Sequence, residues 1–196
     1  MRPQLVLDVG GVLLTNLTNF WGRLAVMAGL PYADVRAVYK AEMRAALWTG
    51  AAEERRFWEW AAARLPSVDP NAARQALLDS MRPLPALDML PAWNALADVH
   101  ILSNHRAEWL RPALSAHLPR LASLTISSEA GSAKPDPAIY EAARAKLAPG
   151  APVLFVDDKA ANLQAASALG WQTLLADEHD SRWTAEVEPL DRKSVV

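Results

Sequence analysis

Four short stretches carry residues able to do chemistry: Asp8 in LVLDVGGVLL, Ser103 and Asn104 in ILSN, Lys134 in KPDPAIY, and Asp157 and Asp158 in PVLFVDD. Each lies at the end of an apolar run or in a loop that leads into a helix. Brought to one place, they form a pocket of three carboxylates, a hydroxyl and an ammonium. Asp8 and Asp158 can share a hard divalent cation, most naturally Mg²⁺, which takes oxygen ligands and keeps several waters. Lys134 and the Ser103 hydroxyl can hold the oxygens of an anion such as phosphate. Cation and lysine then offset the repulsion between a carboxylate and a phosphate dianion, so that one carboxylate can attack phosphorus in line and form an acyl phosphate.

For this to happen the runs must be strands of one sheet with their carboxyl ends together. QLVLD (4–8) reads as a short buried strand, and HILSN (100–104), LTIS (124–127), PVLFVDD (152–158) and QTLLA (172–176) read as further strands. Helices are expected at 106–118, from Pro137, and over ANLQAASALG, with a further one over Leu87–Ala97 before HILSN. Strand and helix alternating at this spacing mean βαβ units, hence an α/β fold with a doubly wound parallel sheet, in which ligands bind beyond the carboxyl ends of the strands. Between the first strand and the rest lies a block rich in Ala, Arg and Trp with helical spacing. Its helices are expected over NFWGRLAVMAGL, Ala33–Trp48, Glu53–Leu65 and after Asp69-Pro70, where proline suits a first helical position. The expected division is an α/β core of residues 1–15 and 83–196 and a small all-helical cap of residues 16–82. The tail from Asp177 has little pattern and reads as loosely held.

The totals agree with one ordinary domain plus an appendage. The chain has 196 residues, 52% of them hydrophobic, a formal net charge of -2 and a pI near 6.1. No basic stretch points to nucleic acid. Without cysteine, disulfides and thiolate metal sites are excluded. No signal-like N-terminus and no apolar run of membrane-spanning length is present, so a soluble cytoplasmic protein acting on a small molecule is expected.

Order and flanking residues together resemble the haloacid dehalogenase superfamily of hydrolases. LVLDVGGVLL looks like its first motif, ILSN its second, KPDPAIY its third and VLFVDDKAANLQAASALG its fourth. The resemblance spans nearly the whole chain, including a helical cap between the first two motifs, and implies the following roles. Asp8 is the nucleophile, and the Gly10 carbonyl joins Asp8 and Asp158 as a Mg²⁺ ligand. Ser103 and the Asn104 backbone bind the phosphate of a small phosphorylated substrate, while Lys134 orients the nucleophile and neutralises charge. Asp157 and Asn162 support Asp158.

One position departs. Most phosphatases of this kind read Asp-x-Asp, the second Asp protonating the leaving group and then activating water, and this chain has Gly10 there. Three readings compete. DVGGVL resembles bacterial sugar-phosphate phosphatases that carry glycine at this point, which fits a leaving group needing little protonation, such as an anomeric hydroxyl. A dehalogenase also lacks the second Asp, but without a metal the Asp157-Asp158 doublet would crowd charge against a substrate carboxylate. A binding or regulatory module with negligible turnover is the third.

His105, two residues past Ser103, could carry the missing proton; the plainer reading is a loop histidine. Asp136 reads as a helix cap. Trp58 and Trp60 cannot share one helix face, so one of them could face the site, although packing is the commoner use of tryptophan. Arg23, Arg36 and Arg44 could reach an anionic substrate from the cap, or be solvated helix faces.

Overall fold

The computed structural model of the chain describes residues 1–187. In chain order the elements are β1 (Gln4–Leu7), α1 (Thr18–Ala28), α2 (Tyr32–Glu42), α3 (Arg44–Trp48), α4 (Glu54–Arg64), α5 (Pro70–Asp79), α6 (Pro85–Asp88), α7 (Leu90–Leu96), β2 (Asp98–Ser103), α8 (Ala107–Ala113), β3 (Ser123–Ile126), α9 (Ser127–Ala130), α10 (Pro137–Arg144), β4 (Val153–Asp157), α11 (Ala160–Ser167) and β5 (Gln172–Leu175). Short 3-10 helices cover Leu118–Arg120 and Ser181–Glu186.

The five strands form one sheet in the order β3-β2-β1-β4-β5, with every pair parallel. β1 is central, and Gln4 registers with Asp98 on one side and Val153 on the other. Its apolar run follows from having both faces covered. Leu5, Leu7, Val99, Ile101, Leu154 and Val156 face one layer, whereas Val6, Leu102 and Phe155 face the layer built by α10 and α11 with Ile139, Tyr140 and Ala166. All strands run the same way, so Asp8, Ser103 and Asp157 come to one edge. After β3 the chain crosses back to β4 on the far side of β1, and the loops following β1 and β4 frame a crevice. The doubly wound parallel sheet is therefore as the alternation of elements predicts.

The helices α1 to α5 fill the interval between β1 and α6 and pack around Phe20, Trp21, Tyr39 and Phe57. Three contacts fix this block against the sheet layer. Buried Arg106, just before α8, donates to the carbonyls of Leu47 at 3.3 Å and of Ala52. Glu54 accepts from the indole nitrogens of Trp58 at 2.8 Å and Trp109 at 2.9 Å. Gly50, with φ of 74°, presses against α9 so closely that a Cβ would lie 2.0 Å from the Ser128 carbonyl oxygen. No helix among the described residues is long and apolar enough to cross a membrane.

Several boundaries differ from expectation, each for a local reason. The helix expected over Ala33–Trp48 breaks at Met43, whose φ of -128° leaves the helical region, giving α2 and α3. The helix expected over Leu87–Ala97 becomes α6 and α7, with Pro91 unable to donate the bond that would join them. The helix expected over 106–118 is shortened to α8, which carries Pro112 in its last turn. Ser127 starts α9 rather than ending a strand, and α11 stops at Ser167, short of Gly170. The stretch after Asp177, read as loosely held, is packed as far as Val187: Trp183 and Val187 are buried, and the Trp183 ring lies 6.1 Å from that of Trp93. The rest of the tail lies outside the described residues.

Candidate active site

The loop leaving β1 begins while the backbone is still tied to the sheet, for the Asp8 amide donates to the Val156 carbonyl at 2.9 Å. The Asp8 carboxylate is buried; its Oδ1 accepts the Val9 amide at 2.7 Å and lies 3.0 Å from Lys134 Nζ. Lys134 arrives from the loop before α10 and is held by its backbone. Asn104 Oδ1 accepts the Lys134 amide at 2.7 Å and Asn104 Nδ2 donates to the Lys134 carbonyl at 2.8 Å. The ammonium, thus aimed, meets three acceptors: Asp8, the Leu102 carbonyl at 2.8 Å and Asp157 Oδ2 at 2.6 Å.

Asp157 ends β4 and is saturated with donors. Besides Lys134 it accepts the Lys159 amide at 2.8 Å and Asn162 Nδ2 at 2.9 and 3.0 Å. Asp158 follows with its carboxylate partly exposed and 2.9 Å from Lys159 Nζ. One oxygen from each of Asp8, Asp157 and Asp158 falls within 4.8 Å of the others. Gly11, with φ of 78°, makes this approach possible, since a Cβ there would lie 2.7 Å from Asp158 Oδ2. Gly10 is different: a Cβ there would meet nothing nearer than Asn16, at 3.9 Å.

The electrostatics separate the two buried carboxyls. Burial resists ionisation of Asp8, but the charges of Lys134 and Lys159, the Ser103 hydroxyl and the Val9 amide outweigh it and hold the carboxyl below its ordinary value. Asp157 moves the other way, because burial and then the charge of Asp8 exceed the help from Lys134 and Asn162. His105 is buried beside the rings of Trp48 and Trp109, and burial lowers its pKa despite the Arg106 backbone and the charge of Asp8. Its Nδ1 accepts the Arg106 amide at 3.0 Å.

Over these groups lies a cavity of about 420 Å³. Asp8, Gly10, Ser103, Asn104, His105, Lys134, Asp158 and Asn162 line its floor, and Trp21, Arg36, Tyr39, Arg44 and Trp48 from the helical block line its roof. Every residue singled out in the four motifs thus reaches one site, with Asp157 beneath the floor. Asp136, as expected, caps α10 by accepting the Ala138 amide at 2.8 Å. Neither Trp58 nor Trp60 faces the cavity: Trp58 packs on Trp109, and Trp60 donates to Glu42. Arg23 is bound to Asp79 at 2.9 Å, away from the site. The reading from sequence missed Lys159, signalled only by its place after the aspartate doublet, and Tyr39, which a helical Val-Tyr-Lys does not distinguish from core.

A model of the haloacid dehalogenase-like hydrolases matches residues 5–170. The chain belongs to this family. Among solved haloacid dehalogenase structures, an enzyme from Bacteroides thetaiotaomicron superposes with a TM-score of 0.80 at 18% identity, over 94% of this chain and 98% of that one. The same enzyme has been crystallised with magnesium and inorganic phosphate. A predicted hydrolase of the family from Porphyromonas gingivalis gives a TM-score of 0.77 at 21% identity, covering 98% of this chain and 99% of that one. An L-2-haloacid dehalogenase also shares the haloacid dehalogenase fold, with a TM-score of 0.63 at 22% identity over 93% and 88% of the two chains. No curated protein matches this chain.

Proposed function

We propose that the protein is a cytoplasmic, Mg²⁺-dependent phosphomonoesterase that forms an aspartyl phosphate at Asp8, with residues 1–15 and 83–196 as catalytic core and 16–82 as cap. The observation that carries this reading is the buried chain Asp8–Lys134–Asp157 with Asp158 beside it. Three carboxylates against Lys134 and Lys159 leave negative charge for a cation to meet. The donor set is all oxygen, as Mg²⁺ requires. Asp8, the Gly10 carbonyl and Asp158 would hold the ion, which when bound neutralises phosphate oxygens. The Bacteroides relative crystallised with magnesium and phosphate supports the pairing.

In this reading the environment keeps Asp8 ionised. Its carboxylate attacks phosphorus, the bond to the ester oxygen breaks, and water then attacks the acyl phosphate to release phosphate and restore Asp8. Lys134 holds Asp8 in place, itself braced by Asp157, and Asn162 braces Asp157 in turn. Ser103 and the Asn104 backbone face the phosphate oxygens, since the Asn104 side chain is spent on Lys134.

Gly10 offers no acid for the leaving oxygen. His105 does not replace it here, because burial keeps the ring neutral near pH 7 and its Nδ1 already accepts a backbone amide. General acid–base help is worth roughly a hundred- to ten-thousand-fold, so the enzyme favours leaving groups that depart with little protonation, an anomeric sugar phosphate being the natural case.

The test is phosphate release from p-nitrophenyl phosphate and a panel of sugar phosphates, with and without Mg²⁺, in wild type and Asp8→Asn, alongside halide release from a 2-haloacid. The expected outcome is Mg²⁺-dependent phosphate release that falls at least about a thousand-fold in Asp8→Asn, with anomeric phosphates turned over best. Halide release would restore the dehalogenase reading. Binding of Mg²⁺ and phosphate without turnover would make the protein a binding module.

A further inference from the structure

The roof of the cavity carries chemistry that hydrolysis at Asp8 does not use. Arg36, on α2, is half-buried and lies over aromatic rings, its guanidinium carbon 4.8 Å from the Trp21 centroid and 5.4 Å from that of Tyr39. Arg44, at the start of α3, lines the same cavity from a more exposed position. Neither arginine forms an ion pair among the described residues, and the nearby carboxylate of Glu42 is bound to Arg64 at 2.7 Å. Between them stands Tyr39, 1% exposed, whose hydroxyl has no hydrogen-bond partner among the described residues. A buried hydroxyl without a partner is costly and uncommon, and it calls for an acceptor. Both arginine charges act on this hydroxyl, against the larger effect of its burial.

Two guanidinium groups and a hydroxyl donor on one wall match an anion: a planar guanidinium pairs with carboxylate or phosphate oxygens through two bonds, and stacking on Trp21 fixes its orientation in advance. Across the cavity, Lys134 and Ser103 already serve the phosphate that is cleaved. Resting on the phosphatase reading above, we propose that Arg36, Arg44 and Tyr39 form a second anion subsite, so that the substrate is a phosphomonoester with a further carboxylate or phosphate on the part of the molecule remote from Asp8. The substrate class narrows from sugar phosphates at large to those carrying a second anionic group.

Three esters of one leaving-group type separate the sources: glucose 1-phosphate, glucuronic acid 1-phosphate and glucose 1,6-bisphosphate. The readout is the ratio of kcat/KM for each doubly anionic ester to that for glucose 1-phosphate. A ratio taken on one preparation is unaffected by the fraction of protein folded. Wild type is expected to prefer at least one doubly anionic ester by tenfold or more, and which one assigns carboxylate or phosphate. The ratio is expected to fall toward one in Arg44→Ala and Arg36→Gln, to recover in part in Arg36→Lys, and to drop several-fold in Tyr39→Phe. A wild-type ratio at or below one for both esters, or a ratio that survives both arginine substitutions, overturns the subsite. Were no ester hydrolysed at all, the phosphatase reading would fall instead. Calorimetric binding of the same three compounds would then decide the subsite by the same ratios.

Discussion

Gly10 and Gly11 are neighbours with opposite constraints. Gly11 has no alternative, because its positive φ and the closeness of Asp158 exclude any side chain. Gly10 has open space on its Cβ side and no such φ, so its lack of a side chain is a matter of chemistry and not of packing. Gly10→Asp is therefore expected to fold and to shift the dependence on leaving group. Alkyl phosphates should gain about tenfold or more in kcat/KM relative to p-nitrophenyl phosphate, within the range that general acid catalysis supplies. A plot of log kcat/KM against leaving-group pKa measures this directly. A slope identical to that of wild type would show that proton delivery is not what limits the enzyme. The residues beneath the site were legible because each closes an apolar run or, like Lys134, stands in a loop leading into a helix. Their division of labour was not, since only the fold shows Asn104 turned onto the Lys134 backbone and Asp157 consumed by donors.

The elements that matter most for the helical block are the loop between α3 and α4 and the start of α8. Gly50→Ala places a methyl group into the Ser128 carbonyl at a backbone φ that disfavours it, so α3 or α9 must shift. The expected cost is about 2 kcal/mol or more, seen as a fall in Tm of roughly 4–8 °C. Turnover should fall with it, as Trp48 and Arg44 leave their places over the cavity. A Tm equal to that of wild type would mean that this contact does not hold the block. Element starts were readable where a side chain fixes them, as with Asp69, which accepts the Ala72 amide at 2.7 Å ahead of Pro70. Element breaks were harder. Nothing around Met43 stops a helix by propensity, and the chain bends there with Tyr39, Met43 and Leu47 all buried. The tail misled for a related reason: one tryptophan without periodicity gives no signal, and Trp183 acquires its partner, Trp93, only in the folded molecule.

Across the whole molecule, two buried histidines contribute to the acid side of stability. His100, on β2, has Nδ1 2.7 Å from Ser123 Oγ and Nε2 2.9 Å from Gln4 Oε1. Gln4 Nε2 donates to the Arg2 carbonyl and to Asp98, which leaves its oxygen as the acceptor and makes Nε2 the protonated nitrogen of a neutral ring. Burial lowers the pKa of His100 and of His105 below the ordinary 6.5. The native state then binds fewer protons than the unfolded chain, so stability rises with pH from the folded-state values up to about 6.5, and is lost as pH falls through that window. Asp157, its carboxyl raised, contributes with the opposite sign. Comparing Tm against pH in wild type and His100→Gln isolates the histidine contribution, and the variant should decline less steeply on acidification. Parallel curves would contradict it.

The place of β1 has a further consequence for how the chain is made. Its partners are β2, registered through Asp98, and β4, registered through Val153, and the helical block is synthesised before either. A nascent chain therefore exposes β1 before α1 to α5 and can complete its pairing only after β4 has been made. Both edges stay bare while α1 to α5 can already assemble on their own aromatic cluster. Stalling translation before β4 should leave that strand open to chaperones and proteases.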